Sequence, residues 1–170
     1  PHILGSAQAV AGPLTSWTSM ARHTRLFVMF GGANPKNTQV ARGGCAWHAT
    51  SGAFTALARA GVRVVNVSPI RDDGPEAVAP EWIAIRPNTD TAMLLALAHT
   101  LVAEQRHDEA FLARYCTGFD RVLPYLTGAA DGQPKDAGWA ERITGVPAET
   151  IRWLARLMAA ERTMLTASWS

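Results

Sequence analysis

A short polar loop directly after an apolar run carries the residues best suited to bind a ligand. The run LFVMF (26–30) ends in Gly31 and Gly32. Side chains with amide or ammonium groups then follow, at Asn34, Lys36 and Asn37. Paired glycines let a ligand approach the backbone closely, and parallel sheets present backbone donors at such loops. The alternative is a simple tight turn, since the G-x-G-x-x-G order of a dinucleotide fingerprint is absent.

A second polar group follows the β-branched run VRVVNV (62–67). Ser68 and Arg71 stand where a doubly wound sheet places a group on a ribose, although an NAD dehydrogenase would carry Asp or Glu at the position of Ser68. Arg71 lies beside Asp72 and Asp73, so a solvated charge cluster is an equally good interpretation.

A third polar group follows the run WIAI (82–85) and consists of Asn88, Thr89 and Asp90. A carboxylate at this place can accept two N–H donors from a purine. It can also merely cap the helix that follows, and one residue seldom does both fully.

The apolar pattern predicts an α/β fold: a Rossmann-like, open, mostly parallel sheet flanked by helices. Strands are predicted at 25–30, 62–67, 82–85 and 163–169, because β-branched runs with little charge are typical of buried parallel strands. Caps and helical periodicity predict helices from about 50, 90–104, 108–116, 137–143 and from 147. The helix at 90–104 is apolar almost all round, so we expect it to be largely buried. The stretch 123–126 fits neither pattern clearly.

Composition excludes several classes of function. The formal net charge of +2 is too small to suggest a nucleic-acid or membrane surface, and no apolar run reaches membrane-spanning length. Cys45 and Cys116 form no zinc spacing and are predicted to be buried thiols, with a disulfide as the alternative. The five histidines form no metal-ligand pattern.

The chain starts at Pro1 and stops at Ser170 directly after a β-type run, so we expect it to be a piece of a longer protein. Residues 1–24 are loosely patterned and are predicted to be a lead-in segment, either a short helix or an extended stretch. Residues 25–170 are predicted to form one α/β domain, since a chain of this length can bury a sizeable core.

Taken in order, six segments resemble the molybdopterin oxidoreductase (dimethyl sulfoxide reductase) superfamily. The resemblance is closest to its dimethyl sulfoxide, trimethylamine N-oxide and biotin sulfoxide reductases. The segments are LFVMFGGANPKNT, VRVVNVSPIR, WIAIRPNTDTAMLLALAHTLV, HDEAFLARYCTGFD, YLTGAADGQPKDAGWAERITGVPAETI and TMLTASWS. They cover most of the chain from Leu26 onward, and the stretches PNTDTAMLLALAHTL and HDEAFLARYCTGF are the most specific.

The resemblance implies a domain that anchors one dinucleotide of a bis(molybdopterin guanine dinucleotide)-molybdenum cofactor. The implied contacts with the dinucleotide are Gly32, Asn34, Lys36 and Asn37 in the first loop, Val67, Ser68 and Arg71 in the second, and Asn88, Thr89 and Asp90 in the third. Asp90 is expected to accept from the N1 and N2 donors of guanine. Backbone N–H groups around Gly31 and Gly32, together with Lys36, are expected to bind the pyrophosphate.

Two residues depart from the family's pattern. Ser68 stands where many members have Asp, and Asn88 stands where Gly or Gln is more usual. The family's molybdenum ligand would lie upstream of Pro1. We therefore assign no catalytic residue and no metal ligand to this chain.

For the full enzyme, the resemblance implies reduction of a small-molecule S-oxide or N-oxide with electrons from a redox donor. It also implies contact with other domains of the same chain, no nucleic-acid partner and no transmembrane segment. The fragment alone is expected to be inactive, and both cofactor binding by the fragment and its compartment, bacterial cytoplasm or periplasm, stay open. The competing functions are a stand-alone nucleotide-binding or NAD-dependent domain and a scaffold domain without a ligand.

Overall fold

The computed structural model describes residues 15–34, 36 and 49–167. Strands and helices alternate along this part of the chain. The strands are β1 (Leu26–Phe30), β2 (Arg63–Ser68), β3 (Glu81–Ala84) and β4 (Thr163–Ala167). The helices are α1 (Trp17–His23), α2 (Ala49–Arg59), α3 (Asp90–Ala103), α4 (Glu109–Tyr115), α5 (Phe119–Thr127), α6 (Ala137–Thr144) and α7 (Ala148–Ala160).

The four strands form one sheet in the order β3-β2-β1-β4, and every pair is parallel. In the register, Val28 of β1 lies opposite Val65 of β2 and Leu165 of β4. All five residues of β1 are buried, as expected for a strand with a neighbour on each side. The prediction of an α/β fold with an open, largely parallel sheet is confirmed.

Helices cover both faces of the sheet. Side chains alternate between the two faces along each strand, so each strand contributes apolar side chains to both. One face packs against α3, α6 and α7, through residues that include Val28, Val65, Met93, Ala140, Ile151 and Leu154. The other face packs against α1 and α2, through Phe27, Met29, Val64, Met20, Phe54 and Leu57. Burial on both faces explains why the strands are continuous apolar runs in the sequence.

Three details differ from the sequence prediction or go beyond it. Helix α3 is less buried than its apolar sequence predicted: its buried residues follow one face, and Leu94 is 40% exposed. The undecided stretch 123–126 lies inside α5, which contains Pro124. The connection between β2 and β3 includes two short 3₁₀ turns, Arg71–Asp73 and Glu76–Val78.

A turn between α5 and α6 encloses a lysine. The Lys135 side chain is only 3% exposed. Its Nζ donates to Asp131 Oδ2 at 2.6 Å and to the carbonyl of Gln133 at 2.5 Å, and it lies 4.0 Å from the ring centroid of Tyr125. The lysine therefore links the turn to α5 through both charge and aromatic contact.

The ion pair in this turn predicts a pH-dependent stability. The hydrogen bond from Lys135, followed by one from the Gln133 N–H, lowers the pKa of Asp131 below its ordinary value. A lowered pKa in the folded state gives a stabilisation that is complete above the unfolded value of about 3.9 and is lost as the pH falls through the folded value. In urea titrations, the midpoint difference between the wild type and Asp131→Asn should be constant at neutral pH and shrink below about pH 4. A difference that does not change with pH would contradict this assignment.

Candidate functional site

The three polar groups identified in the sequence lie along one edge of the sheet. Each follows the carboxyl end of a strand, and these strands are neighbours in the order β3-β2-β1. Adjacent strands are about 4.8 Å apart, so the three loops fall within about 10 Å of one another along the edge. The chain winds outward from β1 to β3 and then returns to the other side of β1 as β4. Open α/β sheets bind ligands in the crevice at such a reversal.

The loop after β1, which we call the glycine loop (residues 31–34), is tied to the β2 side of the edge. The N–H of Gly31 donates to the carbonyl of Val67 at 2.9 Å, and the N–H of Ala33 donates to the carbonyl of Asp73 at 2.8 Å. Among the described residues, the alternate N–H groups of Gly32 and Asn34 donate to no protein acceptor. Two backbone donors are therefore available at the mouth of the loop.

The polar side chains predicted to bind a ligand after β1 differ in where they lie. Asn34 is internal: its Nδ2 donates to Asp73 Oδ1 at 3.3 Å, and its Oδ1 accepts from the N–H of Lys36 at 2.9 Å. Lys36 is exposed and, with Asn34, Asp72 and Gly74, lines an open cavity of about 530 Å³. Asn37, the fourth predicted contact in this loop, lies outside the described residues.

Ser68 is fully buried at the end of β2. Its Oγ donates to Asp73 Oδ2 at 2.9 Å and accepts from the N–H of Ile70 at 3.2 Å. The structure thus commits the Ser68 hydroxyl to protein partners. Of the other predicted contacts in this segment, Val67 is buried with its carbonyl bonded to the glycine loop, and Arg71 is exposed at the start of a 3₁₀ turn.

The loop after β3 presents Asp90 at the beginning of α3. Thr89 occupies the N-cap position but makes no side-chain cap, and its Oγ1 donates to the carbonyl of Arg86 at 2.7 Å. Asp90 is the first helical residue, and no donor among the described residues hydrogen-bonds to its carboxylate. The capping interpretation of Asp90 therefore has no hydrogen bond to support it.

Arg86 fixes this loop to the end of α6. Its guanidinium donates to the carbonyls of Arg142 and Ile143 at 3.0 and 3.1 Å, and its N–H donates to the carbonyl of Thr144 at 2.9 Å. A cation at the carboxyl end of a helix satisfies carbonyls that lack helical partners and interacts favourably with the helix dipole. Through Thr89, the same residue holds the segment that carries Asp90.

Asn88 adopts a left-handed backbone conformation, with φ of 61°. Asparagine tolerates this region better than most residues with a side chain, and glycine tolerates it best. The conformation accounts for an asparagine at this place and would also suit a glycine.

Substitution of Asn88 tests this backbone requirement. We expect Asn88→Ala to lower the free energy of unfolding by about 1 kcal/mol, because alanine is strained at positive φ, whereas Asn88→Gly should stay within about 0.5 kcal/mol of the wild type. Urea denaturation followed by tryptophan fluorescence measures both. Equal losses for the two variants would show that the asparagine side chain, not the backbone, is what matters.

Asp73 is the residue of this edge that sequence reasoning missed. It was interpreted only as part of a charge cluster with Arg71 and Asp72, yet it contacts Asn34, Ser68 and the backbone of Ala33. An acid a few residues beyond the end of β2 is a weak signal, because nothing in the sequence shows which way the intervening turn folds.

Metal and membrane features are not found in the part of the chain that the structure describes. No group of three or more His, Cys, Asp or Glu side chains there could hold an ion. No helix there combines the length and apolar character needed to cross a bilayer. Cys116, predicted to be buried, is exposed, because it ends the surface helix α4, which buries none of its residues. Cys45 lies outside the described residues.

Comparison with known proteins identifies relatives over nearly the whole chain. It is 46% identical over 169 residues to biotin sulfoxide reductase of Cereibacter sphaeroides, a match that covers 99% of this chain and 23% of the relative. It is 42% identical over 176 residues to trimethylamine-N-oxide reductase 1 of Escherichia coli K12, and 41% identical over 174 residues to dimethyl sulfoxide/trimethylamine N-oxide reductase of Rhodobacter capsulatus. These two matches cover 99% and 100% of this chain and 20% of each relative. This chain belongs to the dimethyl sulfoxide reductase superfamily.

The superfamily resemblance read from the sequence is thereby confirmed, together with its closest branch. The chain spans about a fifth of the length of the curated relatives it matches. No protein-family model matches it. Among solved structures, acetylene hydratase from Pelobacter acetylenicus superposes on 88% of this chain and 18% of its own, with a TM-score of 0.64 and 18% identity. That likeness supports the fold.

Proposed function

We propose that this chain is a domain of a molybdenum-dependent S-oxide or N-oxide reductase and that it anchors one molybdopterin guanine dinucleotide at the carboxyl edge of its sheet. The observation that carries the proposal is the Asp90 carboxylate. It projects from the end of the β3 segment without capping its own helix and without a protein donor among the described residues. A carboxylate with both oxygens available matches the two parallel N–H donors of guanine.

The donor set of the glycine loop fits the rest of such a dinucleotide. The N–H groups of Gly32 and Asn34 have no protein acceptor among the described residues, and the exposed Lys36 supplies a positive charge beside them. Backbone N–H groups in a turn and a nearby lysine are the groups that proteins use for pyrophosphate. The loops after β1 and β3 would thus bind opposite parts of the ligand, the phosphates and the base.

The predicted contacts in the second loop fit less directly. Ser68 is buried and its hydroxyl is used within the protein. Arg71 is exposed, so its guanidinium is available to a ligand. In the proposal, therefore, Val67 and Ser68 shape the floor of the site, and Arg71 approaches the ribose or base.

The chemistry of the full enzyme follows from its relatives' names. The bound molybdenum cofactor would supply oxygen-atom transfer from an S-oxide or N-oxide, with electrons from a redox donor. This chain's own residues bind and orient the guanine dinucleotide and exchange no proton with the substrate. The substrate would be a biotin, methionine or dimethyl sulfoxide, or trimethylamine N-oxide.

The proposal is tested by analysing what the full-length protein carries. The protein is purified without added nucleotide and denatured, and the released nucleotides are identified by chromatography and mass while molybdenum is measured by elemental analysis. Guanine nucleotide released together with molybdenum is the expected result. An adenine nucleotide, or molybdenum without guanine, would contradict the proposal. A titration of the isolated chain with GMP and GDP, with AMP and NAD as controls, shows whether this part binds guanine alone.

A further inference from the structure

We infer that Asp73 is a positioning residue that holds the glycine loop in its binding conformation. The inference rests on the proposed function, since the ligand concerned is the guanine dinucleotide. Asp73 lies at the end of the 3₁₀ turn Arg71–Asp73, beyond the end of β2, and is not itself one of the predicted contacts with the ligand.

Asp73 accepts three hydrogen bonds, two from the glycine loop and one from the end of β2. Its Oδ1 accepts from Asn34 Nδ2 at 3.3 Å, and its backbone carbonyl accepts from the N–H of Ala33 at 2.8 Å. Its Oδ2 accepts from Ser68 Oγ at 2.9 Å. One carboxylate therefore bridges the loop after β1 to the end of β2, and each of its oxygens holds a different segment.

The glycine loop is shaped to receive this bridge. A Cβ on Gly32 would lie 2.6 Å from Asp73 Cβ and 2.7 Å from its carbonyl oxygen. The lack of a side chain at Gly32 is thus explained by the approach of Asp73. The sequence analysis explained the paired glycines by the close approach of a ligand. At Gly32, the contact with Asp73 explains the glycine without a ligand.

Apart from the contacts of Asp73, few hydrogen bonds among the described residues hold this turn against β2. Gly74 lies over Asn66 of β2, whose side chain is fully buried and whose amide atoms have no hydrogen-bond partner among the described residues. Within the turn, the N–H of Asp73 donates to the carbonyl of Ile70 at a long 3.3 Å. The contacts of Asp73 are therefore the main polar connection between this turn and the glycine loop.

The bridge determines which donors the loop offers to a ligand. The Asp73 carbonyl accepts from the Ala33 N–H, and the Asp73 carboxylate accepts from the Asn34 side chain. Among the described residues, the backbone N–H groups of Gly32 and Asn34 then remain without a protein acceptor. Without the bridge, the glycine loop would not hold its N–H donors in one arrangement. Ordering the loop on binding would then cost free energy and weaken the affinity for the dinucleotide. Asp73 thus acts on the dinucleotide through the glycine loop.

The test compares three variants of the full-length protein for the rate at which guanine dinucleotide is lost from the purified holoenzyme. Asp73→Ala removes both side-chain bonds and should accelerate loss by about tenfold or more. Asp73→Asn can still accept from Asn34 and donate to the Ser68 hydroxyl, so loss should stay within about threefold of the wild type. Asp120→Ala removes an exposed carboxylate of α5, away from this edge of the sheet, with the same change of charge, and should have no effect.

The comparison separates a positioning role from its alternatives. If Asp73→Asn loses the dinucleotide as fast as Asp73→Ala, the charge itself contacts the ligand and the inference is overturned. It is equally overturned if Asp73→Ala behaves like Asp120→Ala. Combining Asp73→Ala with Asn34→Ala gives a second test that general instability would not pass. The two effects on the rate of dinucleotide loss should not add, because both substitutions remove the same bridge.

Two further results are covered by the same experiment. Should Asp73→Ala fail to fold, Asn34→Ala and Ser68→Ala each remove one arm of the bridge, and normal retention in both would overturn the inference. A wild-type protein that carries molybdenum but no guanine nucleotide would overturn the proposed function and this inference with it. A loaded wild type with unaffected Asp73 variants would overturn the inference alone.

Discussion

Replacement of Asp90 by asparagine in the full-length protein is expected to lower the guanine dinucleotide and molybdenum that copurify with it by about tenfold or more. An aspartate can accept both N–H donors of guanine, whereas an asparagine turns an NH₂ group toward one of them. Hydrogen bonds to a charged group contribute about 1.5–3 kcal/mol each, so the loss of one is enough for this effect. Elemental analysis and nucleotide release measure the occupancy of the site.

Asp120→Asn is the matched control for this experiment. Asp120 also lies in the first turn of a helix, at the start of α5, and is exposed. The two substitutions change charge and helix electrostatics alike, but only one is at the carboxyl edge of the sheet. If folded Asp90→Asn retains as much guanine and molybdenum as Asp120→Asn, the proposed guanine contact is wrong.

Replacement of Gly32 by alanine is expected to lower the free energy of unfolding by about 2–4 kcal/mol. Two penalties combine at this position. Gly32 has φ of 71°, which costs about 1 kcal/mol for a residue with a Cβ. The added methyl would also lie 2.7 Å from the carbonyl oxygen of Asp73, and backbone cannot move aside as cheaply as a flexible side chain.

Gly61→Ala separates these two penalties. Gly61 has nearly the same φ, 70°, but a Cβ there meets nothing within 4 Å. It should therefore lose only about 1 kcal/mol, the backbone part of the effect. Urea denaturation of both variants gives the difference, which measures the contact with Asp73. Equal losses at the two glycines would show that Asp73 does not confine the loop.

The sequence predicted the sheet well because its strands are short apolar runs between clear breakers. β1 and β2 are buried on both faces, so their composition alone marks them, and Gly61 marks the end of α2. Helix α5 was harder to predict, because Pro124 and its polar residues disturb the helical pattern that its apolar face would otherwise show. Here tertiary context overrides local propensity.

The candidate site was predicted at the level of loops, and less well at the level of side chains. The placement of three polar groups at one edge follows from parallel strands alone. Ser68 is the last residue of β2, which is buried on both faces of the sheet, so its side chain stays inside the protein. The role of Asp73 depends on a turn that meets another loop far away in the chain, which no local pattern specifies.

The position of β4 beside β1 has a consequence for how the protein is made. Within this sheet β1 is the first strand to be synthesised, and its partner β4 is the last strand of the described chain. A pairing between elements this far apart in sequence forms late and slows folding. The crevice between β1 and β4 therefore cannot exist in a nascent chain until nearly all of these residues have been synthesised. Until then, one edge of β1 stays open to other strands, and an open strand edge promotes aggregation.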